Sequence, residues 1–341
     1  MIQQIMTAPG KIEFQEIPLP KLNEKEVLIK VMRIGVCGSD IHVYHGKHPY
    51  TQYPITQGHE VSGKIEKIGS KVQGFKLNDK VTIQPQVVCE RCYQCTHGNY
   101  HICDDLKVMG FQTTGTASEF FAVNSDKLVK LPNEMSYEEG AMIEPCAVAV
   151  HAVIKGGNVS GFNVLVLGAG PIGNLVSQTV KALGARSVMI TDISDYRLGI
   201  AKDVGIDFTI NPLKQTLSEE VLKSFGPNKA DLIIECVGVN ETINAAINNA
   251  RKGTDIIVVG VFGENPSINL GFVQDRELRL IGNLMYQTED YRKAIELIQS
   301  KKINLKPLMS THFPFMDYIK AYEYIEEKKD KVLKVFIDVN Q

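Results

Sequence analysis

Four cysteines fall within fifteen residues: Cys89, Cys92, Cys95 and Cys103, in the run CERCYQCTHGNYHIC. The spacing C-x2-C-x2-C-x7-C lets four thiolates wrap one tetrahedral zinc ion at Zn–S distances of about 2.3 Å. A site with four protein ligands has no open position, so it pins a loop and does no chemistry. A pair of disulfides and an iron–sulfur cluster are the alternative uses of such a run. The chain has seven cysteines, an odd number, which leaves Cys37, Cys146 and Cys236 outside the quartet and fits a reducing compartment better than a disulfide framework.

The remaining composition excludes more than it selects. A chain of 341 residues is long for one core and predicts two domains. Lys+Arg is 37 against Asp+Glu 39, so no basic excess points to nucleic acid. The opening MIQQIMTAPGKIEFQEIPLP lacks a basic segment followed by an apolar one, which predicts no secretory signal. The longest apolar runs, Val164–Leu167 and Ile256–Val261, are far too short to cross a bilayer. The expectation is a soluble, cytoplasmic protein with a small-molecule partner and neither nucleic acid nor membrane.

The texture changes along the chain. Up to about residue 145, runs such as VLIKVMRIGV, HEVSGKIEKIG and DKVTIQ are rich in β-branched residues and broken by Gly, Pro and Asn, which predicts many short strands. YEEGAMIEPCAVAVHAVIKGG has helical spacing and ends at Gly156-Gly157. From Phe162 strands alternate with helices: NVLVLG, PIGNLVSQTVKALGA, SVMITDIS, DYRLGIAKDVGI, then the strands ADLIIECVG and DIIVVGV. Such alternation predicts parallel βαβ units in an α/β fold. Two more helices, DYRKAIELIQSKKI and MDYIKAYEYIEEKK, precede a last strand, VLKVFIDV.

Gly168-Ala169-Gly170-Pro171-Ile172-Gly173 lies between the first of these strands and its helix. In that context G-x-G-x-x-G is a dinucleotide turn. Its first glycine permits the tight turn, its second admits a pyrophosphate, its third lets helix pack on strand, and the helix N-terminus favours phosphate. Asp192, 19 residues after Gly173, is placed to bind the ribose hydroxyls of NAD and to repel the 2′-phosphate of NADP. Ile193 follows it, not a residue that welcomes a phosphate. Arg197 is an adenosine-side candidate. Val237 and Gly260, at the ends of the next strands, complete the expected cofactor set.

A second group of metal-type ligands lies in the first half. Cys37 is in GVCGSDIH; His59 and Glu60 are in QGHEVSGKIEKIGSKV. Thiolate, imidazole and carboxylate suit a zinc with mixed ligands that keeps a position for water or substrate. The pattern G-H-E-x2-G-x5-G-x2-V, carried by Gly58, His59, Glu60, Gly63, Gly69 and Val72, resembles the zinc signature of medium-chain alcohol and polyol dehydrogenases. The resemblance covers essentially the whole chain, cysteine loop and glycine turn included.

It implies a GroES-like β-rich catalytic domain of residues 1–148 and 284–341, with a structural-zinc loop at 89–103, and a Rossmann doubly wound parallel-sheet NAD domain of residues 149–283. In the family the active site lies in the cleft between the two. It implies two zinc ions per chain: a catalytic one on Cys37, His59 and Glu60, with Glu144 beside it, and a structural one on the quartet. Glu144 with Cys146 two residues on puts the chain nearer the sorbitol-dehydrogenase branch. Asp40 resembles the carboxylate that orients the zinc-bound histidine. Ser39 and His42 resemble a proton relay, in which hydroxyl, cofactor ribose and imidazole pass the alcohol proton to water.

The segment His42–Tyr50, with IEPCAVAVHAV and LIGNLMYQTEDYRKAIELI, is similar to bacterial sugar-acid dehydrogenases of the L-galactonate or L-gulonate type. Where sorbitol dehydrogenases carry Arg-Tyr, this chain has Leu284-Met285-Tyr286. Lys47, His48 and His45 are alternative sources of positive charge, and Phe111 and Tyr286 are candidate pocket walls. A secondary alcohol, a diol or L-threonine is the other substrate class. The damage to zinc or relay positions that a non-enzymatic nucleotide-binding relative would carry is absent. Relatives are dimers or tetramers joined at the Rossmann sheet edge, and IIVVGVFGENPSINL is the matching segment.

Overall fold

The computed structural model describes residues 1–340. The chain divides into two compact units, Met1–Glu144 with Met309–Gln341, and Pro145–Leu308.

The first unit is built on the long strand Glu26–Val36. One edge of it pairs antiparallel with Glu60–Ile68, in a register that sets Gly35 opposite Glu60. Its other edge is shared: Phe120–Asn124 takes the first half, Lys334–Asp338 the second. Lys80–Ile83 and Leu128–Lys130 extend the sheet on one side, Met309–Pro314 on the other. Val27, Ile29, Val31 and Ile34 from the central strand, Val61 and Ile65 from its neighbour, and Tyr318 and Tyr322 from the helix Tyr318–Lys328 make the core. Val, Ile and aromatic side chains suit a pleated, half-buried surface, so the β-rich expectation is met for a physical reason. The register has one steric consequence for function. A Cβ on Gly35 would lie 2.2 Å from Glu60 Oε2, so only glycine lets this carboxylate occupy its place.

The second unit holds a six-stranded parallel sheet, ordered Phe208–Ile210, Ser187–Thr191, Asn163–Leu167, Leu232–Glu235, Asp255–Val258, Arg279–Gly282. Chain order reverses between Asn163–Leu167 and Leu232–Glu235, which is the doubly wound arrangement with its ligand crevice at the switch point. The central strand is buried along its whole length, as a strand covered by helices on both faces must be. The helical stretch around residue 142 is two helices, Tyr137–Ala141 and Ile143–Lys155.

The sequence reading returned the chain to the first domain at residue 284; by contacts the return comes at Met309. The reason lies in the helix Thr288–Gln299. Its Asp290 takes a 2.8 Å hydrogen bond with His151 Nδ1, both groups buried, and Tyr286 and Tyr291 are fully buried edge to face. Further on, the Asn304 N–H donates to Gln178 of the helix Pro171–Ala182 at 2.7 Å. These ties hold residues 286–304 to the second unit. No helix among the described residues is long and apolar enough to cross a membrane.

Candidate functional site

In the first unit the strand register does what sequence spacing alone could not. Cys37 follows the strand Glu26–Val36 and is the N-cap of the short helix Gly38–Tyr44, while His59 immediately precedes the neighbouring strand and Glu60 opens it. Their ligand atoms all lie within 4.8 Å of one another. Cys37 is half-buried; His59 and Glu60 are buried. Asp40, 2% exposed, accepts the Cys37 N–H at 2.8 Å through Oδ2 and turns Oδ1 toward His59 Nδ1 at 3.6 Å. That imidazole nitrogen is buried and has no hydrogen-bond partner. Burial disfavours an imidazolium there, yet the Asp40 carboxylate and the Cys37 thiol outweigh it and hold His59 well above the ordinary imidazole range. The site therefore attracts positive charge. A thiol, an imidazole that faces Asp40 with Nδ1 and so keeps Nε2 for a metal, and a carboxylate around one point fit a zinc ion.

The sequence reading missed Lys334. Its side chain is 3% exposed, and Nζ donates to Glu60 Oε1 at 2.7 Å, to Glu60 Oε2 at 2.5 Å and to the Val36 carbonyl at 3.3 Å. Burial penalises this ammonium, but the charges of Glu60, Cys37 and Glu144 outweigh it and raise the Lys334 pKa. A lysine leading into the apolar, buried run Val335, Phe336 and Ile337 was the available signal, since buried lysines are nearly always paired. Glu144 is buried and acts on Lys334 by its charge, but it stands outside the three-donor cluster. Ser39 and His42 lie three residues apart on the helix Gly38–Tyr44, hence on one side of it; Ser39 is half-buried and His42 exposed.

Beside the cluster, Phe111 is 7% exposed and its ring lies 4.8 Å from that of His59. His48 stacks on the same ring at 4.8 Å and 12°, with Nδ1 2.8 Å from the Thr51 hydroxyl. Of the other two cationic candidates, His45 is paired with Glu326 at 2.7 Å and Lys47 is exposed. Tyr286, read as a pocket wall, is instead a fully buried core ring against Tyr291. Its apolar ring and the helix Thr288–Gln299 that follows explain the difference.

The quartet Cys89, Cys92, Cys95 and Cys103 also converges within 4.8 Å, and all seven cysteines are unbridged. The Cys92 and Cys103 sulfurs are 3.9 Å apart, against an edge of about 3.8 Å for a tetrahedron with the usual Zn–S bond. Backbone N–H groups of Asp104 and Cys95 hold the Cys92 thiol at about 6.

In the second unit, Gly168 turns the chain at φ +97°, and a Cβ on Gly173 would meet the Gly168 carbonyl oxygen at 1.8 Å. The turn thus needs both glycines, and Gly170 caps the helix that Pro171 and Ile172 begin. Asp192 holds the turn from the next strand end: Oδ2 accepts the Ala169 N–H and Oδ1 the Ser194 N–H, each at 2.8 Å. Ile193 beside it is exposed. Arg197 is half-buried, and its Nε has no partner. Glu235, a second residue the sequence reading passed over, is fully buried and accepts from Val237 N, Gly238 N and Thr242 Oγ1 at 2.7–2.9 Å. Gly260 packs directly on Gly238, so one carboxylate positions the loops that carry Val237 and Gly260.

These two sites are those of a zinc- and dinucleotide-dependent dehydrogenase, and comparison with known proteins agrees. Residues 23–133 match the family described as alcohol dehydrogenase GroES-like domain, and residues 171–300 match zinc-binding dehydrogenase. Sorbitol dehydrogenase 2 of Saccharomyces cerevisiae is 34% identical over 98% of this chain and 96% of its own. Human sorbitol dehydrogenase is 34% identical over 98% and 94%. Among solved structures, galactitol-1-phosphate dehydrogenase of Escherichia coli superposes with a TM-score of 0.92 at 30% identity, covering 99% of each chain. L-idonate 5-dehydrogenase of the same organism gives 0.91 at 25%, again over 99% of each. The chain belongs to the zinc-dependent medium-chain dehydrogenase/reductase family. Within it the chain falls in the polyol-dehydrogenase branch, and it is an alcohol or polyol dehydrogenase that uses zinc and a nicotinamide dinucleotide.

Proposed function

We propose that the protein oxidises a secondary hydroxyl of a polyol or of a sugar acid, an aldonate of the L-galactonate or L-gulonate kind, with NAD as hydride acceptor. The observation that carries this reading is the convergence of Cys37, His59 and Glu60, with Asp40 behind the imidazole. When bound, zinc supplies Lewis-acid polarisation of the hydroxyl and nicotinamide takes up hydride. The chain's own residues do the rest. Cys37 and Glu60 supply negative charge and His59 a neutral nitrogen, with Lys334 restraining Glu60 and Glu144 adding charge nearby. Ser39 takes the proton from the substrate hydroxyl as it passes its own onward, the coenzyme ribose would be the intervening hydroxyl when bound, and exposed His42 on the same short helix releases a proton to water. The quartet holds a second, structural zinc.

Preference for NAD over NADP is supported by Asp192, whose carboxylate would repel a 2′-phosphate, and by the apolar, exposed Ile193 beside it. Gly168, Gly170, Gly173, Val237, Gly260 and Arg197 complete the proposed coenzyme contacts. The sugar-acid reading is supported by His48, a polar ring stacked on Phe111 next to His59, and by the L-idonate 5-dehydrogenase likeness. A homodimer or homotetramer in the cytoplasm is proposed with it; the strand of the expected pairing segment IIVVGVFGENPSINL, Asp255–Val258, is paired on both sides within the parallel sheet, whose edges among the described strands are Phe208–Ile210 and Arg279–Gly282.

The test is a panel of polyols, aldonates, 2,3-butanediol, simple secondary alcohols and L-threonine with NAD and with NADP, read by absorbance of the reduced coenzyme. The reading expects the highest kcat/KM for an aldonate or polyol with NAD. Turnover confined to the simple alcohols, butanediol or threonine would overturn the substrate assignment.

A further inference from the structure

We propose that Gln57 and Tyr322 form a buried strut that fixes which nitrogen of His59 is offered to the metal. The inference rests on reading Cys37, His59 and Glu60 as the catalytic zinc site. Gln57 and Tyr322 are both fully buried. The Tyr322 hydroxyl donates to Gln57 Oε1 at 2.7 Å. Gln57 Nε2 donates to the Asp40 main-chain oxygen at 3.2 Å and reaches Asp40 Oδ1 at 3.5 Å. The other carboxylate oxygen, Oδ2, is held by the Cys37 N–H at 2.8 Å.

The direction of this chain follows from chemistry. A carbonyl and a carboxylate only accept, so the Gln57 amide nitrogen must face Asp40. Its oxygen then faces Tyr322, which has to donate. Burial, then Tyr318 and the Asp40 charge, push the Tyr322 hydroxyl up, so it stays protonated and remains a donor. Asp40 is thereby held with Oδ1 toward His59 Nδ1, 3.6 Å away. That nitrogen is buried and has no other partner. Closing the gap to an ordinary N–H···O distance takes a shift of roughly 0.6 Å. A ring that gives its Nδ1–H to Asp40 keeps the Nε2 lone pair for a metal.

Packing alone does not call for this arrangement. Tyr322 already has its ring contacts, with Tyr44 at 5.1 Å and Tyr318 at 5.7 Å. A phenyl ring would keep both contacts. Beside a polar contact with the Tyr318 hydroxyl, the Tyr322 hydroxyl adds the link to Gln57, and Gln57 adds the link to Asp40. Both are positioning residues: neither is among the metal donors.

The experiment uses full-length, zinc-loaded Tyr322→Phe and Gln57→Met. Zinc release to a colorimetric chelator is followed in time, and Cys37→Ala identifies the phase that belongs to the open site. Release from that site should accelerate about 10-fold or more in Gln57→Met, within the 10–100-fold range for partners of metal-bound histidines, and about 3-fold in Tyr322→Phe. Release from the cysteine quartet should not change. The ligand-field absorption of cobalt at the open site should shift in both variants, and kcat should fall more than KM rises. Unchanged release and an unchanged cobalt spectrum would overturn the proposal, even with a lowered Tm, because that is what a mere packing role gives. Should Gln57→Met fail to fold, Tyr322→Phe, which removes one oxygen, decides alone. A wild-type protein whose release matches Cys37→Ala would sink the site assignment and the strut with it.

Discussion

Replacing Lys334 with Met should destabilise the zinc-free protein far more than the zinc-loaded one. In the structure Lys334 Nζ contacts both Glu60 oxygens, at 2.7 and 2.5 Å, and both side chains are at most 3% exposed. Removing one partner of such a pair leaves a buried, uncompensated charge and typically costs about 3–5 kcal/mol. For a unit of this size each kcal/mol lowers Tm by about 2–4 °C, so the zinc-free variant should melt roughly 6–20 °C below the zinc-free wild type. A dication on Cys37, His59 and Glu60 supplies the missing countercharge. With zinc bound, the gap should fall to well under half of that value, and zinc affinity at the open site should rise. Differential scanning fluorimetry of both proteins, stripped and reloaded, measures this. The cysteine quartet is common to both chains and cancels in the comparison. An equal gap with and without zinc would refute the idea that Glu60 serves two cations, and Lys334→Arg should restore most of the loss.

Three further outcomes follow from particular contacts. His48→Ala should raise KM for the preferred aldonate or polyol about 10-fold, the worth of one hydrogen bond to a charged group, with kcat within about 3-fold and zinc content unchanged; a fall in kcat alone would show that His48 acts otherwise. Asp192→Ala should raise KM for NAD about 10-fold or more and improve use of NADP, since the carboxylate both orders the Ala169 turn and excludes a 2′-phosphate; an unaltered coenzyme ratio would contradict its role. For Asp79, burial alone would raise the carboxyl, but hydrogen bonds from Lys130 and the Lys76 N–H, with the two lysine charges, outweigh it and hold the pKa low. A depressed folded-state pKa stabilises above the unfolded value of about 3.9 and is lost as pH falls through the folded one. Lys130→Met should therefore cost about 1 kcal/mol near neutrality and little in acid, read from urea melts across pH; a cost independent of pH would contradict it.

The parts of this protein that a local pattern encodes were legible from the sequence. The dinucleotide turn was, because strand, glycines and helix are contiguous and each glycine answers a steric demand. The cysteine loop was, because its donors are neighbours in the chain. The pairing of Cys37 with His59 and Glu60 could be named by resemblance, but its physical cause is the register that sets Gly35 against Glu60. The partner of Lys334 was not legible, because the lysine meets Glu60 from 274 positions away through the last strand. Gln57 was passed over for the same reason, since Tyr322 lies 265 positions on. Tyr286 was misread because an aromatic residue beside a coenzyme fold looks the same in one dimension whether it walls a pocket or fills a core. The return to the first unit at Met309 depended on Asp290 finding His151, a buried pair that periodicity does not reveal.

The account stands most directly on metal stoichiometry. Mass spectrometry under native conditions, or elemental analysis, should find two zinc ions per chain in the wild type and one in Cys37→Ala, with turnover lost and the quartet's zinc retained. A Cys37→Ala protein that keeps both ions, or that still reduces NAD at the wild-type rate, would contradict it.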